Sequence, residues 1–330
     1  MAYHDAGLAD DYWKQYYTPN EVEEILANRT TTMFISGRYP IHVGLYLQRQ
    51  SAPTVVMAHG MYVYGLTLAR LQLPFFRAGF NVVAWDLPGM GQSGGPRGGC
   101  TILEFVHAWH DAIRFAHESF GDPLFTLGVA EDGITCYYAS ANSSRVRAIS
   151  IHALLEPGDY EGMHWHGPHW WTRVLANSLR LGSITRPSMS RPSEGLVPLE
   201  WIFSGPGDQR VIQLLRQDPI GFNRVTLRMA SMLGVRLPAP VPYEACQTLV
   251  QMIASEENRI WRYDRVLGNY QRLACPKQLV ILPGAGQWEY NQQFHETYAA
   301  HVIRWFKGNG AECPIDEIPV PSPVISEVPD

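Results

Sequence analysis

The chain has 330 residues, 46% of them hydrophobic and 17% charged, which suffices for one large core or two modest ones. A formal net charge of −5, with no Lys/Arg cluster and no basic–aromatic interleaving, leaves no footprint for nucleic acid or an anionic membrane surface. The acidic start MAYHDAGLADDYWKQYY lacks the positive charge and apolar run of a secretory signal, and no apolar stretch is long enough to span a bilayer, so a cytoplasmic protein is expected. Cys100, Cys136, Cys246, Cys275 and Cys313 are widely and irregularly spaced, which predicts reduced, buried thiols, with Cys136 packed in the core.

A helix is predicted around NEVEEILANR, followed by the β-rich segments TTMFISG and IHVGLYLQR. Four short apolar runs then read as strands buried on both faces of a parallel sheet: TVVMAHG, FNVVAWDLPG, LFTLGVA and VRAISIHALL. The stretches between them, LTLARLQLPFFRAG, TILEFVHAWHDAIRFAHESF and EDGITCYYASANS, carry helical patterns, so strand and helix alternate as in a layered α/β fold. From 156 to 245 the alternation stops. That stretch is rich in Trp, His, Pro and Gly and becomes helical again through RVTLRMASMLGV, the pattern of an inserted cap. TLVQMIAS and KQLVILPGAG restore the strands, QQFHETYAAHVIRWFKG has the 3.6-residue apolar period of a helix on the sheet, and the Pro-punctuated end reads as a loose tail. The expected organisation is a core of 1–155 and 246–307, a cap of 156–245 and a tail of 308–330.

Four of these stretches end strands with chemistry-bearing residues: MAHGMYVYG, WDLPGMGQSGG, TLGVAEDG and ILPGAGQWEY. In this order and spacing the chain resembles the α/β-hydrolase superfamily over roughly 31–307, with the cap inserted. The resemblance implies an α/β-hydrolase fold: a mostly parallel sheet flanked by helices. It also implies a sharp strand-to-helix turn that exposes a nucleophile between small residues. In one register Ala130 fills the nucleophile slot, Gly128 precedes it by two and Gly133 follows by three. Asp132 then stands where a small residue is usual. One residue later, Glu131 fills the slot with Gly133 two beyond, like the carboxylate nucleophile of dehalogenases, and Val129 stands where Gly is expected.

The family's histidine position, after GAG, is Gln287, and its acid position is Asn258, preceded by Glu256 and Glu257. Glu156 or Asp159 are alternative acids, and His295 or His301 alternative histidines, although helix-face packing or a solvated position is the favoured reading of the latter two. Three separate replacements, Ala130, Asn258 and Gln287, point to natural loss of the triad. The oxyanion hole of the family is built from backbone N–H groups, here those of Glu131 and Met61, and survives that loss. Glu131 is either a base or a carboxylate at the helix start, and Asp132 favours the structural role. His59 either orders its loop or moves a proton, Gln287 and Asn258 read as polar contacts, and Asp86 reads as structural. His152 is either a site residue or a buried, satisfied histidine.

In the cap, His164, His166 and His169 are interleaved with Trp165, Trp170 and Trp171. With no third ligand at a defined spacing, an aromatic lid over the ligand is expected and no metal. Nothing in these patterns asks for a cofactor. The expected partner is a small-molecule substrate, and a homodimer is compatible with the chain. A capped, triad-depleted hydrolase of this kind is similar to the hydrolase-like enzymes of tetronate natural-product pathways that eliminate acetate from an O-acetylated tetronate. The resemblance therefore implies a lyase. The alternatives are a non-catalytic binding protein on the same fold and an esterase-type hydrolase with relocated groups.

Overall fold

The computed structural model describes residues 11–157, 159 and 237–311, together with 208–221 and a few short pieces between them. Eight strands form one sheet: β1 (Arg29–Ser36), β2 (Tyr39–Tyr46), β3 (Thr54–Ala58), β4 (Asn81–Trp85), β5 (Leu124–Gly128), β6 (Val146–His152), β9 (Leu249–Ser255) and β10 (Lys277–Leu282). Their spatial order is β1-β2-β4-β3-β5-β6-β9-β10; β1 and β2 join antiparallel and every pair from β4 to β10 is parallel. β3, β4 and β5 are buried at every position, as continuous apolar runs require of strands covered on both faces.

Two helix pairs flank the sheet. α2 (Ala69–Arg77) packs with α7 (Gln292–Gly308), and α3 (Ile102–Phe120) with α4 (Asp132–Ser140). Phe75, Phe80, Phe125 and Phe306 interlock between the first pair and the strands, with the Phe125 and Phe306 rings 4.7 Å apart. Burial of each such side chain contributes about 1.5–3 kcal/mol. α1 (Pro19–Asn28) and α3 both open with a reciprocal Thr/Glu capping box, Thr18–Glu21 and Thr101–Glu104, so sequence alone sets where they begin.

After β6 the chain leaves the sheet and re-enters it at β9. The inserted stretch contains helix α5 (Asp208–Gln217) and a small antiparallel pair, β7 (Ser193–Glu194) and β8 (Arg224–Val225). The helix predicted through RVTLRMASMLGV is therefore not helical at its start: Arg224 and Val225 are extended, where a β-branched residue fits a ladder with Ser193 and Glu194. Helix α6 (Tyr263–Arg272), which the sequence reading leaves out, follows β9. Among the described residues no helix is long and apolar enough to cross a membrane, and no group of three or more His, Cys, Asp or Glu side chains is placed to hold a metal.

Candidate functional site

The loops after β3, β4, β5, β9 and β10 all lie at the carboxyl ends of parallel strands, where open α/β sheets bind ligands. The bend after β5 is set by close packing. A Cβ on Gly128 would lie 2.5 Å from the Cβ of Cys136 and 2.7 Å from the Cα of Gly133, and one on Gly133 would lie 3.0 Å from the His152 carbonyl oxygen. Only glycines let α4 approach β5 and β6 this closely. The left-handed residue at the bend is Ala130, with φ 52°, whereas Glu131 is already helical with φ −62° and ψ −23°. Ala130 thus occupies the strained position that the nucleophile register assigns to it, and Glu131 begins the helix behind it.

Three side chains that are distant in sequence form one hydrogen-bonded line beside this bend. Asn258 accepts the amides of Ile260 (2.8 Å) and Trp261 (2.9 Å) on Oδ1, which leaves its Nδ2 to donate to Gln287 Oε1. Gln287 is fully buried and donates from Nε2 to Glu131 Oε1 at 3.3 Å. The other carboxylate oxygen lies over Gly60, 2.9 Å from where a Cβ would be, and Ala130 Cβ fills the same gap at 2.8 Å. Burial raises the Glu131 pKa, opposed by hydrogen bonds from its own amide, from the Met61 amide and from Gln287. The two backbone donors expected to line an oxyanion hole therefore bear on the Glu131 carboxylate itself.

The direction of this line matters chemically. In a Ser-His-Asp triad, donation runs from the nucleophile through histidine to the acid. Here it runs from Asn258 through Gln287 to Glu131, so it stabilises negative charge at the bend and withdraws no proton from it.

His59 is held as one tautomer. Nδ1–H donates to the Gly60 carbonyl at 2.7 Å and Nε2 accepts the Leu87 amide at 3.1 Å, with Asp86 at 3.8 Å. Burial lowers its pKa, against the opposing pull of Asp86 and the Gly60 carbonyl. Both nitrogens are thus engaged by backbone groups of the loops after β3 and β4. Asp86 accepts the Gly65 amide (2.6 Å), the Gln92 amide (2.9 Å) and the His42 ring (3.1 Å). Burial works against its charge, but the His42 hydrogen bond and the two histidines hold its pKa below the usual carboxylate range. Asp132 is buried and accepts the Trp109 indole N–H on both oxygens (3.0 and 3.1 Å), as well as the Thr135 hydroxyl. Burial drives its pKa well up, so the neutral form is favoured.

Other candidates fall elsewhere. His152 is 1% exposed, bonded through Nε2 to Ser255 Oγ at 3.2 Å and stacked on Tyr298 of α7. Of the two readings of His152, these contacts favour the buried one, with its ring in the packing between sheet and helix. His295, likewise fully buried, accepts the Trp288 indole N–H at 3.1 Å. Glu156, one of the alternative acids, pairs with Arg272 of α6 at 3.7 Å. Trp165, Trp170 and Trp171, and with them His164, His166 and His169, lie outside the described residues. Sequence reading misses Asp208 and Asp218, at the two ends of α5. Asp218 meets Tyr64 across 154 positions, a separation at which spacing carries no signal.

A model of the alpha/beta hydrolase family matches residues 55–300, and the chain belongs to that family. No curated protein matches the sequence. Among solved structures it is similar to DcsB, solved in complex with its substrate analogue, at 15% identity and a TM-score of 0.70, covering 86% of this chain and 100% of that one. It is also similar to the alpha/beta hydrolase GrgF from Penicillium sp. sh18, at 19% identity and a TM-score of 0.66, covering 86% and 99% of the two chains. The monoacylglycerol lipase of Paleococcus ferrophilus matches at 17% identity and a TM-score of 0.64, covering 82% and 99%. Likeness at this identity speaks for the fold.

Proposed function

We propose that this protein is a non-hydrolytic enzyme of the family, a lyase that eliminates acetate, or a related leaving group, from a small natural-product intermediate such as an O-acetylated tetronate. One observation carries the reading. The line Asn258–Gln287 ends on a carboxylate, Glu131, beside an alanine, so the bend offers a base and an anion site but no nucleophilic hydroxyl. Elimination needs only these. Glu131 takes a proton from the substrate, the electron pair forms the new C=C bond, and the C–O bond breaks with its pair going to acetate. The Met61 and Glu131 amides, which bear on the Glu131 carboxylate in the resting protein, then serve the departing anion. Gln287 orients the carboxylate, and His59 is assigned to loop order and not to proton transfer. The inserted segment 156–245, with Trp165, Trp170 and Trp171, is assigned as an aromatic lid.

A hydrolase with relocated groups would need a base to activate a hydroxyl or water at the bend, and both ring nitrogens of His59 are spent on neighbouring backbone groups. The deciding experiment uses an O-acetylated tetronate in ¹⁸O water. Elimination releases acetate without solvent label, because water never adds to the carbonyl; labelled acetate would establish hydrolysis. Glu131→Gln is expected to lower the rate by roughly 10²–10⁴. Tight binding of the same compound with no turnover would instead favour a non-catalytic receptor.

A further inference from the structure

Helix α5 carries a buried carboxylate at each end, and each reaches a different wall of the site. At its start Asp208 accepts the Gly205 amide (2.8 Å) on one oxygen and the Tyr290 amide (2.9 Å) on the other. Tyr290 stands three residues beyond Gln287, in the same loop. The neighbouring chain is pinned there too: Phe203 bridges to Trp288, and a Cβ on Gly205 would lie 2.7 Å from Glu289 Cγ. Just past the other end Asp218 accepts the hydroxyls of Tyr64 and Tyr16, both at 2.9 Å, on Oδ2, and the amides of Ile220 and Gly221, both at 3.0 Å, on Oδ1. Tyr64 belongs to the loop that presents the Met61 amide. Between the ends Val211, Ile212 and Leu215 are buried, and Tyr12 donates to the Leu214 carbonyl at 3.0 Å.

A carboxylate with four protein donors is held in one orientation, and a helix of about ten residues is a rigid spacer of about 15 Å. We infer that α5 is a tie between the anion-site loop and the Gln287 loop, with Asp208 and Asp218 as positioning residues that fix the distance between the two walls. The inference goes beyond the proposed elimination and holds whichever chemistry the site performs. It gives the inserted segment a second task besides covering a ligand, since a shift of α5 would alter both walls together.

Amide hydrogen exchange on the full chain tests it without a ligand. Tyr64→Phe removes one hydroxyl at the far end of α5 and Asp208→Asn one acceptor at the near end. Each is expected to raise exchange about tenfold or more in both 60–64 and 286–290, and the double variant no more than the larger single one. Tyr16→Phe takes an equal hydrogen bond from Asp218 but keeps its ring packed on Tyr290 and leaves Tyr64 bonded, and is expected to leave 286–290 unchanged. The tie is overturned if each variant loosens only the loop it touches and the effects add. It is equally overturned if Tyr16→Phe matches Tyr64→Phe, or if exchange rises throughout the sheet.

Discussion

Asp132 and Glu131 are adjacent, yet their partners separate them. Asp132 faces an indole N–H and a hydroxyl inside the core, and burial favours its neutral form. Asp132→Asn keeps an acceptor for Trp109 and is expected to change unfolding free energy by less than about 1 kcal/mol, whereas Asp132→Leu leaves the indole unsatisfied at a cost of about 1–3 kcal/mol. Equal urea midpoints for the two variants would contradict that role. Glu131 faces Gln287 and two backbone amides, each of which lowers its pKa against burial. Gln287→Leu is therefore expected to move the Glu131 titration upward, readable as a shift of the carboxyl ¹³C resonance with pH; a downward shift would mean that Gln287 is not its donor. Ala130→Ser adds a hydroxyl with Gln287 where the family's histidine would activate it, so intact-mass analysis with p-nitrophenyl acetate is expected to show no stoichiometric acyl-enzyme.

At the scale of elements, the bend between β5 and α4 was legible because its requirements are written in residue types. Gly128 and Gly133 mark the close approach, and apolar runs mark the strands on either side. Gly128→Ala presses a methyl to 2.5 Å from Cys136 Cβ, so it is expected to lower unfolding free energy by about 1–3 kcal/mol in urea titration; an unchanged midpoint would show that the helix yields freely. The register was not legible, because Gly133 fits either count, and it is the backbone angle at Ala130 that separates them. The polarity of the Asn258–Gln287–Glu131 line was also hidden. It depends on Asn258 spending its oxygen on two backbone amides, a local turn that residue identity alone does not declare. The setting of His152 stayed open for a related reason: a histidine ending a strand points to solvent or core according to the helix packed there, here α7.

For the whole molecule, buried histidines set the acid limit. Burial depresses the pKa of His152 to about 4, and burial with Arg70 nearby depresses that of His295 to about 3, from an ordinary 6.5. Below pH 6.5 the unfolded chain binds protons that the folded one refuses. The stability these groups confer is therefore complete above about pH 6.5 and is lost as pH falls toward 4 and then 3. Asp208 acts in the opposite sense. Burial raises its pKa to about 6, against the Tyr290 and Gly205 amides, so the folded state binds that proton more readily and stability falls as pH rises through 4 to 6. Asp86, held low, titrates only below the ordinary carboxylate range and is silent across this window. From pH 7 to 5 each neutral histidine is thus expected to cost about 2 kcal/mol and Asp208 to return about 1. Urea unfolding at the two pH values separates them. His295→Gln keeps an acceptor for the Trp288 indole, and the loss of stability between pH 7 and 5 is expected to shrink by about 2 kcal/mol, while Asp208→Asn should enlarge it by about 1. If His295→Gln leaves the difference unchanged, His295 is charged in the folded protein and its hydrogen bond to Trp288 is misassigned, since an imidazolium nitrogen has no lone pair to accept the indole N–H.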